Sequence, residues 1–435
     1  MERVDQLVSG FLKRRYGTPI SRILAKLRVP LLKETERVAC NLCGADTTVE
    51  LARRDKYRLA VTSVMCRNCG LMYLNPRPSV KSYDEFYLQG GDKDGVYHVS
   101  LTLQDLEPVL QRYFGPEFRM SDEDRAELRA FVNEKHREHI GKTPSDTSET
   151  ALVEVLESKA KEHEAAEYDA YAEHVYQYFK EFVPRGGKVL EMGAAWGKLL
   201  VPWRDQHGCE VTGVEPRART VQTAKDRLGI ELFQGFPATA KVPEQSYDAV
   251  FNLRTINHML DPLGDLRHAW RWLKPGGIIC VDISDALKEA RYESFEGRVL
   301  EIDHPYMFSA NSLAALLQKA GFEIVKREIV DSKNFFPGVQ RQPEYKQIRI
   351  VGRKSLEPVA VALPDPVAEL AELFQATQAW NARQDERGTG KRKSGRSKPE
   401  EGAAPGLLKR ARRKLRRLFS PRARSKADRT KKRSG

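Results

Sequence analysis

No run of about 18 consecutive apolar residues occurs in the chain, which excludes a helical integral membrane protein. The opening MERVDQLVSGFLKRRYG has no apolar centre and no small-residue cleavage site, so no secretory signal is expected. Cysteine is scarce, six in 435 residues, and four of the six form two Cys-x-x-Cys pairs. That usage argues against a disulfide framework and for metal in a reducing compartment, so the protein is expected in the cytoplasm. No internal repeat is visible. Net positive charge is also missing from most of the sequence. The formal net charge is +13, yet from Arg383 onward 21 Lys and Arg stand against five acidic residues, leaving the rest close to neutral. On net charge the body is not a basic nucleic-acid-binding surface, although a local patch stays open.

Composition divides the chain into six parts. Residues 1–36 mix basic and apolar positions, with Ile20, Ile23, Leu24 and Leu27 at helical spacing. Residues 37–80 carry the Cys pairs and end in Asn75-Pro76-Arg77-Pro78, which two prolines keep extended. Residues 81–183 read as a charged, mostly helical insertion or lid with a loop at Lys142 to Thr150. Residues 184–355 alternate short β-rich runs with amphipathic helices, the pattern of an α/β domain with a parallel sheet covered on both faces. Residues 356–383 are a helical extension. Residues 384–435 hold too little apolar surface to bury a core, so a disordered basic tail is predicted.

Within the alternating part, strands are predicted at Lys188 to Met192, Cys209 to Val214, Glu231 to Gln234, Ser246 to Leu253 and Gly277 to Ile283. Helices are predicted from Trp196 to Gln206, through Arg227, before Lys274-Pro275-Gly276-Gly277, and from Ala310 to Ala320, where Gly321 stops it. Phe322 to Val330 and Lys346 to Val351 are placed to close the sheet as a pair. Cys209 and Cys280 fall in strands and are read as buried, inert thiols.

The chemistry concentrates in VLEMGAAWGKLL. Open parallel sheets bind ligands beyond the carboxyl ends of their strands, where the first turn lets backbone approach the ligand. Glu191 ends the strand, Gly193 and Gly197 bracket the turn, and Glu215 ends the next strand. A carboxylate at Glu215 suits the two hydroxyls of a ribose. Glu191 is ill placed beside a pyrophosphate and well suited to an ammonium group.

The ordered set VLEMGAAWG, Glu215, SYDAVFNLRTINHMLDP, LKPGGIICVDI and DHPYMFSANSLAALLQKAGFEIV resembles the class I S-adenosylmethionine (SAM)-dependent methyltransferases over about residues 184–330. The resemblance implies a Rossmann-like sheet and SAM as cofactor. Carried over, Glu191, Gly193, Ala195 and Gly197 border its methionine part and Glu215 holds its ribose. Gly235 and Phe236 lie near adenine, and Asn252 and Leu253 at the lip of the fourth strand. One position departs from the family: its middle glycine is Ala195 here, beside Trp196, which is tolerable where φ is negative.

Methyl transfer requires alignment of the acceptor and, for O or C acceptors, removal of a proton. His304, in Asp303-His304-Pro305-Tyr306, and His258, after the fourth strand, are the candidate bases, with Tyr306 and Asp303 as lesser candidates. The alternatives are a His304 that packs or caps a helix entry and a His258 that only lines the cofactor.

Cys40, Cys43, Cys66 and Cys69 form two knuckles, each followed by Gly. Four thiolates at this spacing suit a closed tetrahedral structural Zn²⁺ site, with iron in the same geometry or redox dithiols as alternatives. The ribbon followed by LMYLNPRPS and the Tyr-rich YDEFY is similar to bacterial methyltransferases with a zinc-binding segment before the catalytic domain, including sugar C-methyltransferases. That implies a sugar, glycan-linked or other small-molecule acceptor. In the tail, Leu408, Ala411, Leu415 and Leu418 share one helical face, with seven Lys and Arg interleaved between 409 and 417. Such a helix fits the anionic inner face of a membrane, or RNA phosphates as the less favoured partner. The rival readings are an RNA methyltransferase gripping substrate with ribbon and tail, and a non-catalytic binding protein.

Overall fold

The computed structural model describes residues 34–53, 61–89, 111, 117–127, 130, 169–290, 303–331 and 346–391. The expectations for residues 1–33, for the loop at 142–150 and for the tail beyond 391 lie outside them. The chain divides into two compact units, Met1–Thr377 and Gln378–Gly435.

Seven strands of the first unit form one sheet: β6 (Lys188–Met192), β7 (Glu210–Glu215), β8 (Phe233–Gln234), β9 (Tyr247–Leu253), β10 (Leu273–Ser284), β12 (Phe322–Asp331) and β13 (Lys346–Lys354). Their spatial order is β12-β13-β10-β9-β6-β7-β8. The neighbours from β10 to β8 run parallel, while β13 is antiparallel to both β10 and β12. The chain reverses its direction of travel across the sheet at β6. Ligands of doubly wound sheets bind at such a switch point, beyond the strand ends.

Alternation along the strands builds two cores. Val189, Ala249, Phe251, Ile278 and Cys280 face the helix over residues 169–179 through Tyr171, Val175 and Phe179. Leu190, Met192, Val250, Ile279 and Val281 face the helices Pro262–Trp272 and Ala310–Lys319. A fully buried ion pair ties the first face to the sheet: Arg349 Nε donates to Asp282 Oδ2 at 2.7 Å, and Tyr171 Oη donates to Asp282 Oδ1 at 2.6 Å. The charge on Asp282 is thus met by two donors, the condition under which a buried carboxylate is tolerated.

The Cys-bearing segment is not a separate domain. Its strands β2 (Thr48–Ala52), β3 (Ser63–Cys66) and β4 (Met72–Leu74) form a four-stranded sheet completed by β11 (Tyr306–Met307), from the far end of the α/β part. Tyr306 pairs with Tyr73 and Met307 with Met72. Two shorter strands, β1 (Thr35–Glu36) and β5 (Arg77–Pro78), pair beside it. Asn41 fixes the first turn of the helix Pro262–Trp272, donating to Asp261 and accepting from the Leu263 amide. Lys319, at the end of the helix Ala310–Lys319, donates to the Leu42 carbonyl.

Several boundaries differ from expectation: β8 is confined to Phe233–Gln234, β10 already begins at Leu273 and takes in Lys274-Pro275-Gly276-Gly277, and the helix of the extension starts only at Pro366. The helix expected from Trp196 to Gln206 begins with a single 3-10 turn, Lys198–Leu200, and is α-helical only over Val201–Asp205. Gly197, at φ +80°, keeps the preceding backbone out of the helix, and Pro202 occupies the first turn, where its missing N–H costs nothing. The C-terminal helix, Pro366–Lys391, passes the composition boundary at 384.

Candidate functional site

Expected cofactor residues gather at the C-terminal ends of β6 and β7: Glu191 and Glu215 lie on the strands, and Gly193, Ala195 and Gly197 follow β6. Glu191 is buried, 1% exposed, and its Oε2 has no hydrogen-bond partner among the described residues. Burial, and secondarily the nearby Glu215, pushes its carboxyl up to about 8. A buried carboxylate oxygen without a partner is the feature an ammonium group would satisfy. Glu215 is engaged on both oxygens: Oε2 accepts from the Ala195 amide at 3.1 Å, and Oε1 accepts from Arg217 N at 3.2 Å and Arg217 Nε at 2.9 Å. A carboxylate so fixed retains lone pairs for a diol.

The turn between them is tight. Gly193 has φ +70°, and a Cβ there would meet Thr255 Cγ2 at 2.4 Å, so only glycine lets the β9 loop approach. Ala195 departs from the sequence expectation, with φ +46° instead of a negative value. The left-handed conformation costs an L-residue roughly 1–2 kcal/mol, and here it delivers the Ala195 amide to Glu215. Gly235 and Phe236 follow β8, with Phe236 half-buried. Asn252 and Leu253 stand at the end of β9 but are wholly buried and on opposite faces. The Asn252 amide lies near the thioethers of Met192 and Met259, at 4.0 and 3.7 Å, and Leu253 belongs to the other core.

His258 and His304 meet edge to face, ring centroids 4.2 Å apart, with Asp303 buried beside them. His258 Nδ1 lies 3.1 Å from both the Asp303 carbonyl oxygen and the Tyr87 hydroxyl. Tyr83 Oη bonds to the carbonyls of His258 and Asp303, so one phenol clamps both loops. Both tyrosines come from the helix Val80–Gln89, where Tyr83, Phe86 and Tyr87 share a face at i, i+3 and i+4. Tyr87 reaches further, its ring edge-on to Phe236 at 6.4 Å, and burial raises its phenol well above the usual range. Sequence reasoning noted the Tyr-rich stretch without giving these residues a role; the helical spacing was the available signal.

Tyr306 does not join the histidines. It is 1% exposed within the shared sheet, stacked at 6.0 Å on Tyr73, and its hydroxyl accepts from Arg77 at 3.1 Å. Arg77 also donates to the Leu260 carbonyl and pairs with Glu36. Tyr306 is therefore a joint between ribbon and sheet, which corrects its reading as a proton-transfer candidate.

The sulfurs of Cys40, Cys43, Cys66 and Cys69 lie within 4.8 Å of one another. Cys40 Sγ is 3.5 Å from Cys69 Sγ, and Cys43 Sγ is 3.4 Å from Cys66 Sγ. Zn–S bonds of about 2.3 Å place tetrahedral sulfurs roughly 3.8 Å apart, so the quartet is near that geometry. Gly44 and Gly70, at φ +78° and +73°, turn each knuckle, and the Asn68 amide points at Cys66 Sγ at 3.4 Å. Cys280 is buried within β10, while Cys209 is buried just ahead of β7 and not in a strand as expected; both lie away from this cluster.

Comparison with known proteins places these features. Residues 163–327 match the model of a family described as a methyltransferase domain. The O-methyltransferase cnsE of Penicillium expansum is 24% identical over 148 residues, 32% of this chain and 54% of that protein. The ubiquinone biosynthesis O-methyltransferase of Ruegeria pomeroyi is 27% identical over 156 residues, 33% of this chain and 62% of that protein. The matched stretch thus spans little more than half the length of these relatives. A crystal structure of a SAM dependent methyltransferase from Aquifex aeolicus aligns with 18% identity over 41% of this chain and 89% of that one, at a TM-score of 0.33.

Proposed function

Given that the chain carries a class I SAM-dependent methyltransferase domain, matched over residues 163–327, we propose that it transfers a methyl group from SAM to a sugar, glycan-linked or other small-molecule acceptor. When bound, SAM supplies a sulfonium-activated methyl carbon open to in-line attack. The observation that carries the reading is the Glu191–Glu215 pair at the switch point, one carboxylate orphaned and the other fixed by the turn. Glu191 receives the ammonium group and Glu215 the ribose diol, while Gly193 and Gly197 let the backbone close around the methionine part. Phe236 offers an apolar face near adenine. His258 and His304, beside Asp303, activate the acceptor, and Tyr83 and Tyr87 hold them in place. Cys40, Cys43, Cys66 and Cys69 hold one Zn²⁺ whose work is structural, since four thiolates leave no open position. The basic tail attaches to an anionic membrane face.

Calorimetric titration with S-adenosylhomocysteine tests the cofactor assignment. The wild type is expected to bind, and Glu215→Ala to bind at least tenfold more weakly through loss of charge-assisted hydrogen bonds worth about 1.5–3 kcal/mol. Equal binding by the variant would remove Glu215 from the ribose.

A further inference from the structure

His258, Asp303 and His304 each bring one ligand atom within 4.8 Å of the others, in a group apart from the four cysteines. We propose that these three hold a divalent first-row transition-metal cation with an open position toward the acceptor. The inference rests on reading the cluster as the acceptor-activating group and specifies how it does so.

Two imidazoles and one carboxylate are a donor set that suits such cations, and three protein ligands leave at least one position for an incoming oxygen. The surroundings are those of a supported site. A ligating histidine characteristically gives its second nitrogen to a carbonyl or similar acceptor, which fixes its tautomer. His258 has that arrangement on Nδ1, which lies 3.1 Å from both the Asp303 carbonyl oxygen and the Tyr87 hydroxyl. Asp303 is only 5% exposed, and a carboxylate taken that far out of water is stabilised by an adjacent cation. The two loops are held in register by Tyr83, which bonds to the carbonyls of His258 and Asp303. The main chain at His258 and at Asp303 is therefore tied together before any ion arrives. On the open position an acceptor oxygen is polarised and its pKa lowered, the task assigned above to the histidines as bases.

The test is Co²⁺ titration of the purified full chain, with its cysteine site already filled, followed by visible absorption. The expected result is d–d absorption without a thiolate charge-transfer band, saturating at one equivalent. Asp303→Asn and His304→Ala are expected to weaken Co²⁺ binding at least tenfold. S-adenosylhomocysteine binding, measured on the same samples, is expected to survive in both variants and shows that they fold. Absence of any d–d band in the wild type, or unchanged Co²⁺ binding by the two variants, would overturn the cation site. Loss of S-adenosylhomocysteine binding by the wild type would instead sink the methyltransferase reading, on which the inference rests.

Discussion

Glu191→Gln separates the cost of a buried carboxyl from its use. The Glu191 carboxyl is pushed from its ordinary 4.5 up to about 8 by burial and, secondarily, by Glu215. A group whose folded pKa lies above its unfolded value binds more protons when folded, so its contribution to stability is full below pH 4.5 and is lost as pH rises through 8. At 1.36 kcal/mol per pH unit, that interval corresponds to about 5 kcal/mol lost from the ligand-free protein between pH 4.5 and 8. Glutamine keeps the shape and cannot ionise. Thermal melts at pH 5 and pH 8 are therefore expected to show the variant close to wild type at pH 5 and clearly more stable at pH 8. Binding should move the opposite way. Glu191 must ionise to receive an ammonium group, so wild-type affinity for S-adenosylhomocysteine is expected to rise toward pH 8 by nearly tenfold per pH unit. The variant should be weaker by roughly 10–100-fold at pH 8, with little slope below it. Titration in buffers of different ionisation enthalpy should register proton release on wild-type binding below pH 8. A variant with the wild-type pH slope in both melt and titration would refute the assignment.

Two further predictions concern the metal and the tail. One tightly held zinc per chain is expected by elemental analysis, and stripping it should lower the melting temperature of the whole first unit in a single transition, because β4 pairs with β11 and Arg77 bonds to Tyr306. A loss on the order of 5 kcal/mol corresponds to at least about 10 °C at 2–4 °C per kcal/mol; a separate ribbon transition with the main one unmoved would contradict the shared sheet. Sedimentation with phosphatidylglycerol vesicles should be strong at low salt, weaken as salt rises, and disappear on removal of residues 392–435. Retention of vesicle binding by the truncated chain would place the membrane contact elsewhere.

The α/β alternation was legible because parallel strands and covering helices have distinct apolar periods. Lys188–Met192 stands where expected, and the closing pair extends only slightly beyond its predicted ends. The Cys quartet and the two carboxylates were legible because their signals are local: fixed spacing in one case, strand-end position in the other. What sequence did not show lies across long chain separations. Tyr83 and Tyr87 reach His258 across 175 and 171 residues, and only the fold brings that helix over the histidines. Tyr306 looked catalytic by proximity to His304, but strand pairing with Tyr73 turns it into the shared sheet. Ala195 showed a departure from a glycine pattern, while its positive φ arises from the turn that also delivers its amide to Glu215.

The central claim is methyl transfer to a small-molecule or glycan acceptor. It is tested most directly by incubating the purified chain with SAM labelled on the methyl group and an extract of its source cells, then separating RNA, protein, and glycan or lipid fractions. The account predicts label in the glycan, lipid or small-molecule fraction, in a form resistant to nuclease and protease. Label that disappears with nuclease, or no transfer at all from a chain shown to bind S-adenosylhomocysteine, would contradict it.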